Sequence, residues 1–253
     1  MLVSDRPSLA PTTNQFARTL RIAVLIGISA DLLLIAVRVA RYPALFAMPG
    51  AFTFLIEPIV ALIVYAVVAG ALPWLTERIA HGPSALRIGA LVGVIGGAIE
   101  VVSTALESLV SLPQTVVAVT TGVAQVSLFL LFAVAGFLGS RRTQRFWSGL
   151  SAAIGSAMVA IVIVVTFGFL LITTSLPTLA HNEIGDPDYL RSGWTDISAF
   201  AMANTFDAGF THLVEAPIIA SVLGAAGSGI GQIGRRNQQV KGLRGPAPEE
   251  QQG

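Results

Sequence analysis

Six carboxylates stand in stretches of the chain that are otherwise almost free of charge: Asp31, Glu57, Glu100, Glu107, Asp207 and Glu215. No Lys or Arg lies equally deep in those stretches. An ionised acid at the centre of a bilayer costs about 2.5–3.5 kcal/mol on insertion scales. Six of them, ionised and unpaired, would cost about 15–20 kcal/mol, comparable with the whole stability of a fold. Protonation, a bound cation or a polar cavity turned away from lipid relieves that cost. The chemistry these residues point to is therefore proton or cation binding inside a membrane.

Helical spacing groups them. At 100° per residue, Glu100, Ser103, Thr104, Glu107 and Ser111 share one face of a helix. The same face carries Gly89, Gly93 and Gly97, a G-x-x-x-G-x-x-x-G run that admits another backbone at short range. Further on, Asn204, Asp207, Thr211 and Glu215 form a second stripe with His212 at its edge. Two polar stripes on two apolar helices are expected to bury against each other. Glu57, Glu100, Asp207 and Glu215 are the principal candidate binders, with Asp31 and Glu107 beside them. Asn204, Thr211, His212, Ser103 and Thr104 are the supporting partners. The plainer alternative is interhelical glue, because hydroxyls, amides and protonated acids hydrogen-bond across helices. His212 suits a proton relay toward Glu215 or Asp207, since imidazole titrates near neutrality.

A short internal echo adds to the pattern. Phe52-Thr53-Phe54-Leu55-Ile56-Glu57-Pro58-Ile59-Val60-Ala61 matches Phe210-Thr211-His212-Leu213-Val214-Glu215, a one-residue insertion, and Pro217-Ile218-Ile219-Ala220. Each half places a Glu within two residues of a proline, and a mid-helix proline leaves a carbonyl without its usual donor. Pro58 and Pro217 are expected to kink their helices, and such interrupted segments accompany ion sites in transporters.

The elements that position these residues follow from composition. Of 253 residues, 54% are hydrophobic and 11% charged, against about a quarter charged in soluble domains. The mean hydropathy is +0.76. Six runs are long enough to cross a bilayer: about Leu20–Val39, Gly50–Leu72, Ile88–Val110, Val116–Leu138, Leu150–Leu171 and Ile197–Val222. The expected fold is an all-α, six-helix transmembrane bundle over residues 18–230. A cytoplasmic tail (1–17) is expected before it and a disordered basic cytoplasmic tail (231–253) after it. The fourth and fifth runs lack charge and are expected to be lipid-facing scaffold or an oligomer surface.

Arg6, Arg18, Arg21, Arg78, Arg87, Arg141, Arg142, Arg145, Arg235, Arg236, Lys241 and Arg244 fall on one side of such a bundle, and only Arg38, Arg41 and Arg191 on the other. The positive-inside rule then puts both termini in the cytoplasm of a multi-pass cell-membrane protein. Tyr189 and Trp194, in the acidic segment between the fifth and sixth runs, are expected at headgroup level.

Several functions are excluded or disfavoured by missing parts. With no cysteine there is no thiolate chemistry. No G-x-x-x-x-G-K-[ST], H-E-x-x-H or G-x-S-x-G occurs, so nucleotide binding, zinc proteolysis and nucleophile-elbow hydrolysis lack their frameworks. His81, His181 and His212 are expected on different levels, so no metal site is anticipated, nor any cofactor. The net charge of +1 offers no field for nucleic acid. The reading is proton- or cation-coupled transport of a small solute, with the lipid bilayer as first partner and a homodimer or partner membrane subunit as a further one. The alternative is a non-catalytic scaffold or subunit of a larger complex; a third reading is a membrane-embedded enzyme acting on lipid.

The cysteine-free chain is a ready background for testing sidedness. A membrane-impermeant thiol reagent added to intact cells is expected to label Asp188→Cys and to leave Arg142→Cys unlabelled until the cells are opened; the reverse pattern would invert the topology.

Overall fold

A computed structural model describes residues 13–75, 83–110 and 112–243 of the chain. They form an all-α bundle: α1 (Thr13–Arg41), α2 (Ala51–Leu75), α3 (Pro83–Leu109), α4 (Gln114–Thr143), α5 (Phe146–Thr174), two short helices α6 (Leu176–Asn182) and α7 (Pro187–Ser192), and a long α8 (Ile197–Leu243). Six helices, α1 to α5 and α8, are long and apolar enough to span a bilayer. The protein is thus a multi-pass α-helical membrane protein in contact with lipid. The face of the bundle that carries α6 and α7 is termed here the loop face.

The spans exceed the sequence expectation mainly at the end of the chain. Apolar character persists in α8 from Ile197 to Ile233, about 55 Å of helix against a hydrocarbon core of about 30 Å. The helix then continues to Leu243, so the tail expected to be disordered from 231 begins as an extension of α8. Residues 244–253 and 1–12 lie outside the described residues. Both Pro58 and Pro217 are accommodated within continuous helices, so neither interrupts its span.

Small residues decide the packing. On α5, Gly149, Ala152, Ala153, Ser156, Ala157 and Ala160 are all buried. A Cβ built on Gly89 or on Gly93 of α3 would sit 2.5 Å from the carbonyl oxygen of Ala152 or Ser156, and one on Gly97 3.0 Å from that of Ala160. The three contacts ascend both helices in steps of four, so α3 and α5 run parallel with backbones touching, as a glycine ladder permits. On the side away from the loop face, Gly136 of α4 meets Gly224 of α8 and Gly149 of α5, and the Ser228 hydroxyl donates to the Gly136 carbonyl at 3.3 Å.

Two expectations are corrected here. The charge-free α5 is not lipid-facing scaffold: it is the most enclosed helix, with α1, α3, α4 and α8 packed around it. A helix that is apolar all round suits an interior position as well as a lipid one, and small side chains settled the matter. Only α4 keeps the expected exposed face, with Val116, Val119, Val123, Val126 and Leu130 outward. In addition, α3 and α8 do not lie along each other; both lean on α5.

At the loop face, Trp194 is buried within the protein, packed edge-on to Phe54 and Phe200 with ring centroids 6.0 Å away in each case. Tyr189 joins the same cluster, 5.2 Å from Phe200. Asp196 caps α8, accepting from the backbone N–H of Ser198 at 2.9 Å and Ala199 at 3.1 Å. Its other oxygen accepts from the Tyr42 hydroxyl at 2.6 Å, which ties the end of α1 to the start of α8.

Gly93→Val is expected to destabilise the detergent-solubilised protein by about 1–3 kcal/mol, as is typical of overpacking, and so to lower its thermal midpoint. Gly155→Ala, where an added Cβ meets nothing within 4 Å, is expected to leave it unchanged.

Candidate functional site: a crevice descending from the loop face

Because α3 and α8 flank α5 without touching along their lengths, a crevice remains between them with α5 as its back wall. Its upper part is a vestibule of about 260 Å³. From α3 it receives Thr104, Glu107 and Ser108; from α8, Asn204, Thr205, Ala208, Gly209 and His212; from α5, Val164, Val165, Gly168, Phe169 and Leu171. Leu179 and Glu183, in and just after α6, close it on the loop side.

α6 is pinned there from both sides. Asn182 donates its side-chain amide to the Ser108 carbonyl at 3.1 Å, and Asn204 donates to Glu183 Oε1 at 3.0 Å. Glu107 Oε2 accepts from the Thr121 hydroxyl of α4 at 3.3 Å. Burial pushes the Glu183 carboxyl above its ordinary range, and the nearby Asp186 adds to that, against the Asn204 hydrogen bond.

A second, smaller chamber of about 20 Å³ lies deeper. Its polar lining is Glu100 from α3, Gln125 from α4, and His212 and Glu215 from α8. That volume holds about one water molecule, and four polar side chains are the number such a water requires. His212 and Val164 line both spaces, so the imidazole stands at the boundary between vestibule and chamber. Counted along α3 from Leu109, Glu107, Thr104 and Glu100 lie about 3, 8 and 13 Å down the helix. The crevice thus presents ionisable groups at successive depths. Glu100 Oε1 is buried without a hydrogen-bond partner.

The structure therefore brings together Glu100, Glu107, Glu215, Asn204, Thr104 and His212, and leaves the other named residues elsewhere. Asp31 is fully buried between α1 and α5, with neither carboxyl oxygen hydrogen-bonded. The Thr166 hydroxyl lies beside it but is donated to the Val162 carbonyl at 2.7 Å. Glu57, half-buried on α2, and Asp207 and Thr211, half-buried on α8, line neither space. Ser103 is buried with its hydroxyl unpaired, and Ser111 lies outside the described residues. The six acids thus divide among several environments rather than one, because the two stripes straddle α5 and only their crevice-side members meet. Among the described residues none of the six is within ion-pair distance of a basic group, and no cluster of three or more His, Asp or Glu could hold a metal ion.

Two contributors were not singled out from sequence. Glu183 belongs to a loop segment that carries three other acids, and Gln125 is the one amide within the apolar run Val116–Leu138. The polar residue inside an otherwise uncharged span was the available signal for Gln125. Only the return of α6 over the crevice identifies Glu183.

The fold and crevice define a multi-pass membrane protein with an internal polar cleft beneath its loop face. Compared with known protein families, curated proteins and solved structures, the chain matches none. Function must accordingly be argued from the site.

The Glu183 environment makes a pH prediction. Its carboxyl holds a proton more tightly in the folded protein than in the unfolded chain, so its contribution favours folding as pH falls through the raised value, and is unfavourable above it. Glu183→Gln keeps an acceptor for Asn204 and removes the charge. The variant is expected to melt higher than the parent near pH 8, with the gap closing toward about pH 4–5, where carboxyls protonate. A gap that stays constant with pH would contradict this.

Proposed function

We propose that the protein carries out proton- or cation-coupled transport of a small solute across the cell membrane, with the crevice as one half of the pathway. The observation that supports this is the series Glu107, His212, Glu100 and Glu215, which descends from the vestibule to a one-water chamber within a single cleft. Groups that exchange protons at successive depths are what coupling requires, and intramembrane ionisable residues that face a cavity mark such pathways. Neutral imidazole both donates and accepts a proton, so His212 can pass one between the vestibule and the Glu100–Glu215 pair. The bias of positive charge toward the opposite face supports a topology with both termini in the cytoplasm and the vestibule on the outside. The span between the chamber and the cytoplasmic face is closed by the α4–α5–α8 glycine junction. Access from that side therefore calls for movement of α8 against α4 and α5.

A second reading has its own support. Glu57 and Asp207 are half-exposed and line neither space, and basic groups of a partner subunit or a second copy would satisfy them. In that case the acids serve assembly.

Flux in proteoliposomes under an imposed proton or cation gradient separates the two. Glu100→Gln and Glu215→Gln are each expected to reduce gradient-driven flux to background while the protein still inserts and remains monodisperse. Normal flux in both variants would refute coupling through the chamber, and loss of assembly with a co-purifying partner would favour the second reading.

A further inference from the structure

The vestibule is chemically one-sided in a way that specifies its occupant. Its walls carry two carboxylates, Glu107 and Glu183, and no Lys or Arg. Thr104, Ser108 and Thr205 add hydroxyls, each with acceptor lone pairs. The back wall is apolar and ends in the ring of Phe169, held edge-on to Phe206 at 5.6 Å. Acceptors and negative charge on one side and hydrocarbon on the other match a molecule with a cationic donor head and an apolar body. An ammonium group has three donors and no acceptor. A hydrated inorganic cation would use the carboxylates and leave the apolar wall unmatched, while an anion would meet two like charges. At about 260 Å³ the space falls just below the range of about 300–1,000 Å³ typical of drug-sized sites, so the ligand is small. The two acids come from separate elements, α3 and the segment after α6, and α6 is fixed over the cleft by the Asn182–Ser108 and Asn204–Glu183 hydrogen bonds. The site is therefore a built cavity with a roof.

We infer, building on the transport reading above, that the vestibule is the binding site for a small organic cation, a primary amine with a compact apolar or aromatic body. The ammonium lies between Glu107 and Glu183, and the body lies against Phe169 and Val165. His212 forms the floor and separates the bound amine from the deeper chamber.

Binding to the full-length protein in detergent tests this without reference to flux. 2-Phenylethylamine is expected to bind saturably and to raise the thermal midpoint, while 2-phenylethanol and phenylacetate, of similar size but neutral or anionic, do neither. Glu183→Gln and Glu107→Gln are each expected to weaken amine binding by about tenfold or more. Asp188→Asn, which alters an exposed acid paired with Arg191, leaves it unchanged. Equal binding of all three compounds, no amine binding at millimolar concentration, or unaltered affinity in both Gln variants would overturn the assignment. The transport reading fails separately. Amine binding without any gradient-driven flux removes transport and leaves the site, whereas flux that depends on Glu100 without amine binding leaves transport with a different solute.

Discussion

The contact between the backbones of α3 and α5 determines most of what surrounds it. In a bilayer no hydrophobic force draws helices together, since lipid tails are as apolar as leucine, so close van der Waals packing between small residues must do so. Gly89, Gly93 and Gly97 against Ala152, Ser156 and Ala160 supply that packing. Once α3 is seated along α5 by its glycines, Thr104 and Glu107 further along the same helix line the vestibule together with α5. α8 is seated against the other side of α5 and against α4 through Gly224 and Gly227. The crevice is the space left between two helices that share a pillar without sharing an interface.

That arrangement explains how a strongly apolar protein tolerates polar groups at depth. The crevice-side acids line spaces that also carry Asn204, Gln125, His212 and several hydroxyls, groups able to hydrogen-bond with them. The fully buried Asp31 has no such outlet and is enclosed by α1 and α5. Its environment differs sharply from that of Glu107, which is exposed in the vestibule wall. Burial, charge and access thus separate residues that share a chemical type.

The loop face supplies the order that a cleft between helices lacks. Asp196 caps α8 and holds Tyr42 just after α1, the ring of Trp194 packs against Phe54 and Phe200, and α6 is fastened to α3 and α8 by two asparagine side chains. Each contact joins elements distant in sequence, and together they fix the roof above the vestibule. A loose connection in that place would leave Glu183 in water and the cleft without a lid.

Hydropathy and charge distribution alone determined the all-α class and the six spans, because a bilayer demands about twenty apolar residues per crossing and tolerates no unsatisfied backbone. Periodicity also picked out Glu100, Glu107, Asn204, Thr104 and His212 as members of polar helix faces, since residues three and four apart must share a side. What periodicity cannot express is which helix each face meets. An uncharged helix such as α5 reads the same whether it borders lipid or protein, so its central place, and with it the parting of α3 from α8, was decided by glycine and alanine contacts across the bundle. The same holds for Glu183, Gln125 and Asp31: one was brought over the cleft, one into the chamber and one sealed away, each by packing between segments remote in the chain, where local sequence carries no record of the partner.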